Sequence, residues 1–102
     1  MRIGIFGGTF NPIHLGHLRA AEDVRESLGL EKVIFVPSYL PPHKELDSQV
    51  PGDVRLAMTR LAVRSNPAFE PCGFEVEQGG NSYSVRTIEY LAGRYRTTPV
   101  FI

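Results

Sequence analysis

A short apolar run, Ile3-Gly4-Ile5-Phe6, stops at two adjacent glycines, and a few residues later an amphipathic pattern begins. The stretch Gly7-Gly8-Thr9-Phe10-Asn11-Pro12-Ile13-His14-Leu15-Gly16-His17 therefore crosses from a buried strand into a helix. This junction constrains the chain more than any other part of it. The glycine pair lets the backbone turn sharply and lie close to a ligand. The helix start offers N–H groups without intrahelical partners and the positive end of a dipole. His14 and His17, three residues apart, fall on nearly the same face once the helix begins and add mobile donors. Groups of this kind converge where an anion binds, and phosphate is the first expectation.

The rest of the chain alternates in the same manner. Leu15, Leu18, Ala21, Val24 and Leu28 recur at helical spacing, and Gly29 is a natural C-terminal stop. Lys32-Val33-Ile34-Phe35-Val36 reads as a second buried strand, ended by Pro37. A long polar, proline-rich loop then runs from Ser38 to Gly52. Asp53 is placed to cap a second helix with Val54, Ala57, Leu61 and Ala62 on one face, ending near Asn66-Pro67. Phe69 to Glu77 holds a weak third strand in which Phe74 and Val76 alternate with glutamates. After the turn Gly79-Gly80-Asn81, Ser82 or Ser84 can cap a third helix carrying Val85, Ile88, Leu91 and Ala92, and Thr98 to Ile102 begins a fourth strand. Strand and helix in strict alternation predict an α/β fold, a Rossmann-like parallel sheet with flanking helices.

Composition removes several function classes. The chain has 102 residues, which allows one small domain, below the usual size of a doubly wound nucleotide-binding sheet. Lysine plus arginine match aspartate plus glutamate at 11 each, so neither a nucleic-acid coat nor a polybasic membrane anchor is expected. The single cysteine, Cys72, leaves no internal disulfide and fits a reducing compartment. No apolar stretch approaches a membrane span, and Met1 runs almost directly into the motif with no room for a signal peptide. The expectation is a cytoplasmic protein that binds neither nucleic acid nor membrane.

In an open parallel sheet ligands gather at the carboxyl ends of the strands. The glycine motif ends the first strand, and the loop after Val36, with Tyr39, Pro41, Pro42, His43 and Lys44, leaves from the same edge. Lys44 can reach phosphates held by the histidines. The loop Asn81-Ser82-Tyr83-Ser84 joins the cleft if the third strand is parallel, and its hydroxyls and amides can read a neutral polar ligand. Zinc is disfavoured, because no acidic or cysteine third ligand lies at a suitable local spacing from the imidazoles. Cys72 has no flanking base that would make it a nucleophile. Ser84 and Thr87 also fit plain helix-capping roles. The series Arg55, Arg60, Arg64 reads as a solvated helix face rather than a binding stripe.

The eleven-residue stretch from Gly7 to His17, with its H-x-G-H element His14-Leu15-Gly16-His17, resembles the signature of the nucleotidylyltransferase superfamily. Class I aminoacyl-tRNA synthetases carry a similar H-x-G-H, but Pro41-Pro42-His43-Lys44 and Ser82-Tyr83-Ser84-x-x-Thr87 narrow the likeness to the bacterial nicotinate mononucleotide adenylyltransferases. The resemblance implies transfer of AMP from ATP to nicotinate mononucleotide, with release of pyrophosphate, in NAD biosynthesis. It implies that Gly7, Gly8, Thr9, Phe10, His14, Gly16 and His17 bind ATP. His14, His17 and Lys44 would be catalytic, and Lys44, Tyr83 and Ser84 would bind the acceptor. Ser84 stands where that family usually has threonine, and the hydroxyl is kept. Mg²⁺ is expected to arrive on the ATP phosphates, with no protein metal site.

Such enzymes continue past a fourth strand into an acidic L/I-G-x-D segment and a later I-S-x-T-x-[IL]-R segment. Residues 1–102 are therefore expected to form the N-terminal part of a single nucleotidylyltransferase domain, truncated after the fourth strand, with weak or absent activity alone. A homo-oligomer is left open for the full-length form. The competing readings are a related enzyme, such as phosphopantetheine adenylyltransferase or a cytidylyltransferase, and a non-catalytic nucleotide-binding half-domain that docks through its fourth strand.

Overall fold

The computed structural model describes residues 1–10, 13–38, 51–78 and 84–102. Its elements run β1 (Ile3–Gly8), α1 (Leu15–Leu28), β2 (Lys32–Pro37), α2 (Gly52–Val63), β3 (Phe69–Pro71), α3 (Phe74–Gln78), α4 (Ser84–Tyr95) and β4 (Val100–Phe101). The four strands form one sheet in the order β3-β2-β1-β4, and every pair is parallel. This is the Rossmann-like arrangement expected from the alternation. β1 is paired on both sides, and the strand order reverses between it and β4, where open α/β sheets form a crevice.

Side-chain alternation along the strands creates two cores. Val33 and Phe35 of β2 join Phe10, Ile13, Ala21, Val63 and Phe69 on the side covered by α1 and α2. Ile3, Ile5, Ile34 and Val36 pack with Cys72 and Leu91 on the other side, against which Ile88, Tyr95 and Phe74 of α4 and α3 rest. Strands buried on both faces need continuous apolar runs, which is why β1 and β2 lack the polar alternation of a half-exposed sheet. Each fully buried Ile or Phe contributes about 1.5–3 kcal/mol over leaving it in water.

Several expectations on the helices and the third strand are corrected. β3 spans three residues, and Phe74–Gln78 is a short helix, not the end of a strand. Pro71 has no N–H to continue a ladder, and the Cys72 amide makes the last bond across, to the Phe35 carbonyl at 2.8 Å. Glu75 and Glu77 then suit a first helical turn, where the dipole favours negative charge. Asp53 is not the N-cap of α2. Pro51 holds that position, and Asp53 lies in the first turn, where its Oδ1 accepts from the Val54 amide at 3.0 Å.

The buried face of α2 is rotated from the expected one. Arg55, Leu56, Thr59 and Val63 are buried, while Val54 and Leu61 are exposed. In α1, Leu15 and Leu28 stand in solvent and Ala21 is the buried contact, with Leu18 and Val24 half-buried beside it. Val85 of α4 is likewise exposed, whereas Leu91 is fully buried. Gly29 closes α1 as expected, in the left-handed conformation at φ 64°, with its cap amide bonded to the carbonyls of Arg25 and Glu26. Ser82, one of the two capping candidates for α4, lies outside the described residues.

At the end of α4, the Tyr95 hydroxyl and the Lys32 ammonium both donate to the Glu70 carboxylate. Burial pushes that carboxyl upward, but the bonds from Lys32 and Tyr95 outweigh it and hold the group below its ordinary value. Burial and the bond to Glu70 push the Tyr95 phenol up to about 12. Among the described residues no helix is long and apolar enough to cross a membrane.

Phe35 is fully buried and contacts the rings of Phe6, Phe10 and Phe69. Phe35→Ala is expected to cost about 3–5 kcal/mol, because the rings around it close the cavity only in part. Urea unfolding checks this: the midpoint should fall with the slope unchanged.

Candidate phosphate-binding site

The site begins where β1 and β2 end level. Gly8 is the register partner of Pro37, and the Ser38 amide donates to the Gly8 carbonyl at 2.9 Å. Both chains then leave the sheet at the same edge. From Gly8 the backbone enters Thr9 and Phe10, and Phe10 adopts φ 46°, a left-handed conformation that side chains rarely take. Its ring is buried, edge-on to Phe6 at 5.5 Å and to the His17 imidazole at 5.0 Å. A Cβ on Gly8 would lie 3.3 Å from that ring, so the second glycine makes room for the turned-back phenylalanine. Asn11 and Pro12 lie outside the described residues.

His14 does not sit inside the helix. It is the N-cap of α1, with an extended backbone at φ −143° and ψ 175°. Its Nδ1 accepts from the Gly16 amide at 3.0 Å, and the Nδ1 of His17 accepts from the His14 amide at 3.0 Å. This is a reciprocal capping box built from two imidazoles in place of the usual hydroxyl and carboxylate. Ile13 before the cap and Leu18 in the next turn join the same apolar cluster, as a hydrophobic staple does.

The box decides which atoms are left for a ligand. An Nδ1 that accepts an N–H carries no proton, so the neutral form of each ring holds its hydrogen on Nε2. The rings stack with centroids 3.8 Å apart at 28°, which places the two Nε2–H donors of neighbouring rings at one helix start. No acidic residue occupies the first turn of α1 to compete for them. Burial, and then the neighbouring His14, lower the pKa of His17 from its ordinary value of 6.5, so the ring favours the neutral donor form. A Cβ at Gly16 would lie 2.8 Å from Cε1 of His14, so a larger residue there would push the exposed imidazole out of this arrangement.

One functional candidate escaped the reading of the sequence. Arg55, taken there as part of a solvated arginine face, is buried at 1% exposure. Its Nη1 donates to the carbonyls of Thr9 at 2.7 Å and Ser38 at 2.6 Å. Burial lowers its pKa, yet a guanidinium keeps its proton in proteins, so a full positive charge sits beneath the motif loop. Arg60 and Arg64 are exposed as expected. Spacing among the arginines carried no signal of this: Arg55 shares a helix face with the buried Thr59, whose hydroxyl donates back to the Arg55 carbonyl at 2.9 Å, and that face is known as the buried one only from the structure.

Of the other candidates, Gly7, Gly8, Thr9, Phe10, His14, Gly16 and His17 come together at this edge. Lys44 and Tyr83 lie outside the described residues, and Ser84 is described only as the first residue of α4. Thr87 is buried and donates its hydroxyl to Glu75, which ties α4 to α3. Cys72 is buried, and burial raises its pKa, consistent with an unreactive thiol. A groove of about 500 Å³ between α1 and the α2–β3 turn is lined by Leu15, Leu18, Arg19, Glu22, Ala62 and Phe69, among others, and includes neither histidine. Among the described residues no group of three or more His, Cys, Asp or Glu side chains could hold a metal ion.

A parallel sheet of this order, with a helix start that follows directly on β1, defines a Rossmann-like α/β domain. The chain belongs to the cytidylyltransferase-like family, whose model matches residues 5–98. It is 50% identical over 101 residues to a probable nicotinate-nucleotide adenylyltransferase of Geotalea daltonii, an alignment covering 99% of this chain and 47% of that protein. It is 48% identical over 95 residues to a protein of the same name from Geobacter sulfurreducens, covering 93% of this chain and 44% of the relative. A third so named, from Desulfatibacillum aliphaticivorans, is 50% identical over 91 residues, covering 89% and 42%. The chain thus spans a little under half the length of these curated relatives.

Two outcomes follow from the imidazole box. Gly16→Ala should displace the His14 ring and break the Gly16 N–H to Nδ1 bond, read as a change in the Gly16-position amide and His14 ring resonances. Because the folded-state pKa of His17 is depressed, its contribution to the cap is full above 6.5 and is lost as pH falls through the lower folded value. The amide shift of His14, whose N–H donates to the His17 ring, should therefore move on acidification with a midpoint below 6.5. A midpoint at or above that value contradicts the assignment, and His17→Gln, which keeps an acceptor, should remove the His17 transition.

Proposed function

We propose that residues 1–102 form the N-terminal part of a single nucleotidylyltransferase domain. Its reaction is adenylyl transfer from ATP to nicotinate mononucleotide, giving nicotinate adenine dinucleotide and pyrophosphate. The observation that carries this reading is the imidazole pair at the start of α1, with both Nδ1 atoms committed to the backbone and the Nε2–H donors left for phosphate oxygens. The relatives, named probable nicotinate-nucleotide adenylyltransferases, support adenylyl transfer to a nicotinate nucleotide.

In this reaction the phosphate of the mononucleotide is already a nucleophile, so the protein need not supply one. An oxygen of that phosphate bonds to the α-phosphorus of ATP as the bond from that phosphorus to the bridging oxygen breaks, and pyrophosphate leaves with the electron pair. Charge grows on the transferring and leaving phosphates. His14 and His17 donate to those oxygens, and the N-terminus of α1 and the buried Arg55 charge add a fixed positive field. Gly7, Gly8, Thr9 and Phe10 bring the backbone close to the nucleotide and orient it for in-line attack. Lys44 binds phosphate, and Tyr83 and Ser84 read the nicotinate ring. Mg²⁺ enters as part of the ATP substrate, held by phosphate oxygens and water rather than a protein cage. The reaction is placed in the cytoplasm.

Titration calorimetry and a coupled dinucleotide assay test the proposal. Mg-ATP should bind the chain, and His14→Ala or His17→Ala should weaken binding about 10- to 100-fold, the worth of a charge-assisted hydrogen bond. Turnover by the 102 residues alone is expected to be weak or absent. CTP competing as well as ATP, or phosphopantetheine accepting in place of the mononucleotide, would redirect the assignment to another transferase of the family. Binding of ATP with no turnover even when the chain is extended to its relatives' length would favour a non-catalytic nucleotide-binding module.

A further inference from the structure

Arg55 is the one fully buried cation among the described residues, and it lies at the junction of the two loops that leave the sheet beside the histidines. A planar nitrogen with two hydrogens serves both carbonyls: Nη1 donates to Thr9 at 2.7 Å and to Ser38 at 2.6 Å. These residues follow Gly8 and Pro37, which are register partners, so the guanidinium clamps the first backbone beyond each strand. The Thr9 carbonyl belongs to the peptide that leads into Phe10, the residue held at φ 46°. A non-glycine residue remains left-handed only where its surroundings over-determine it. The Phe10 ring then sets the place of His17, edge-on at 5.0 Å and 82°, and His17 in turn caps the His14 amide.

We infer that Arg55 is the positioning residue of the phosphate grip. By tying Thr9 to Ser38 it holds Phe10 in its left-handed conformation, and Phe10 holds the His17 imidazole with its Nε2–H presented to a nucleotide phosphate. Only the last clause rests on the proposed function; the mechanical link from Arg55 to His17 stands on contacts within the chain. The link is a sequence of touching groups, and a coupling carried along it acts in both directions, so it can be read from either end. A space-filling role for Arg55 carries no such coupling, and a role limited to its charge would be met by any cation at the same place.

NMR of the ¹³C,¹⁵N-labelled chain tests this directly. In the wild type, acidification should shift the Arg55 guanidinium resonances with the same midpoint as the His17 ring, and His17→Gln should remove that shift, because the guanidinium does not itself titrate in that range. An Arg55 signal that stays flat through the His17 transition overturns the inference. In Arg55→Met, which fills the space without charge, and Arg55→Lys, which keeps the charge on a shorter arm, the His17 ring nitrogens should lose their single-tautomer pattern. Affinity for Mg-ATP should fall roughly tenfold, with lysine restoring only part of it. A folded variant with an unchanged His17 spectrum also overturns the inference. If neither variant folds, the wild-type titration decides alone. If the wild type binds no ATP, the nucleotide reading fails, while the His17 tautomer and the Arg55 coupling still decide the positioning role.

Discussion

The level ending of β1 and β2 is the constraint from which the ligand end of the molecule is built. Parallel pairing in register from Ile3 with Lys32 to Gly8 with Pro37 brings two chain exits to the same height on the sheet. One exit must turn back into α1 and the other must pass toward α2, and both leave carbonyl groups near the top of a dry core. Arg55 answers that need from α2 with two short bonds from a single nitrogen.

The imidazole box solves a problem specific to phosphate handling. A serine or aspartate cap would satisfy the same backbone amides, but a carboxylate would bring negative charge to a place meant for anions. Imidazole accepts through Nδ1 and still donates through Nε2, so one side chain caps the helix and binds outward at once. Stacking two such rings at 3.8 Å disfavours a positive charge on both at once, in agreement with the lowered pKa of His17. The pair is therefore best described as directed donors near a fixed positive field, with His17 favoured in its neutral form, an arrangement that needs little reorganisation as charge develops.

Local rules carried the strands β1 and β2, the helices α1, α2 and α4 and the Gly29 stop, because each depends on neighbours a few residues away. They failed where partners are distant. The Arg55 side chain bonds residues 46 and 17 positions away in the chain, and no periodicity among arginines announces that. The rotation of α2 has the same origin: Val54 and Leu61 are apolar by residue type, but the face that meets the sheet is the one whose polar members find acceptors. α3 was read as strand because Phe74 and Val76 alternate with glutamates, a pattern that a single helical turn beside Pro71 and Gly73 also satisfies.

By itself the sequence determined the order of elements apart from α3, the glycine turn, the place of a helix start at the end of the first strand, and the presence of two imidazoles there. These are set by local sterics and by the spacing of apolar residues. Tertiary structure alone decided that His14 caps the helix instead of joining it, that both rings point Nδ1 inward, and that a remote arginine holds the loop beneath them. Each of these turns on which backbone groups are left without a partner once the sheet has assembled, and that is not written in any short stretch of chain.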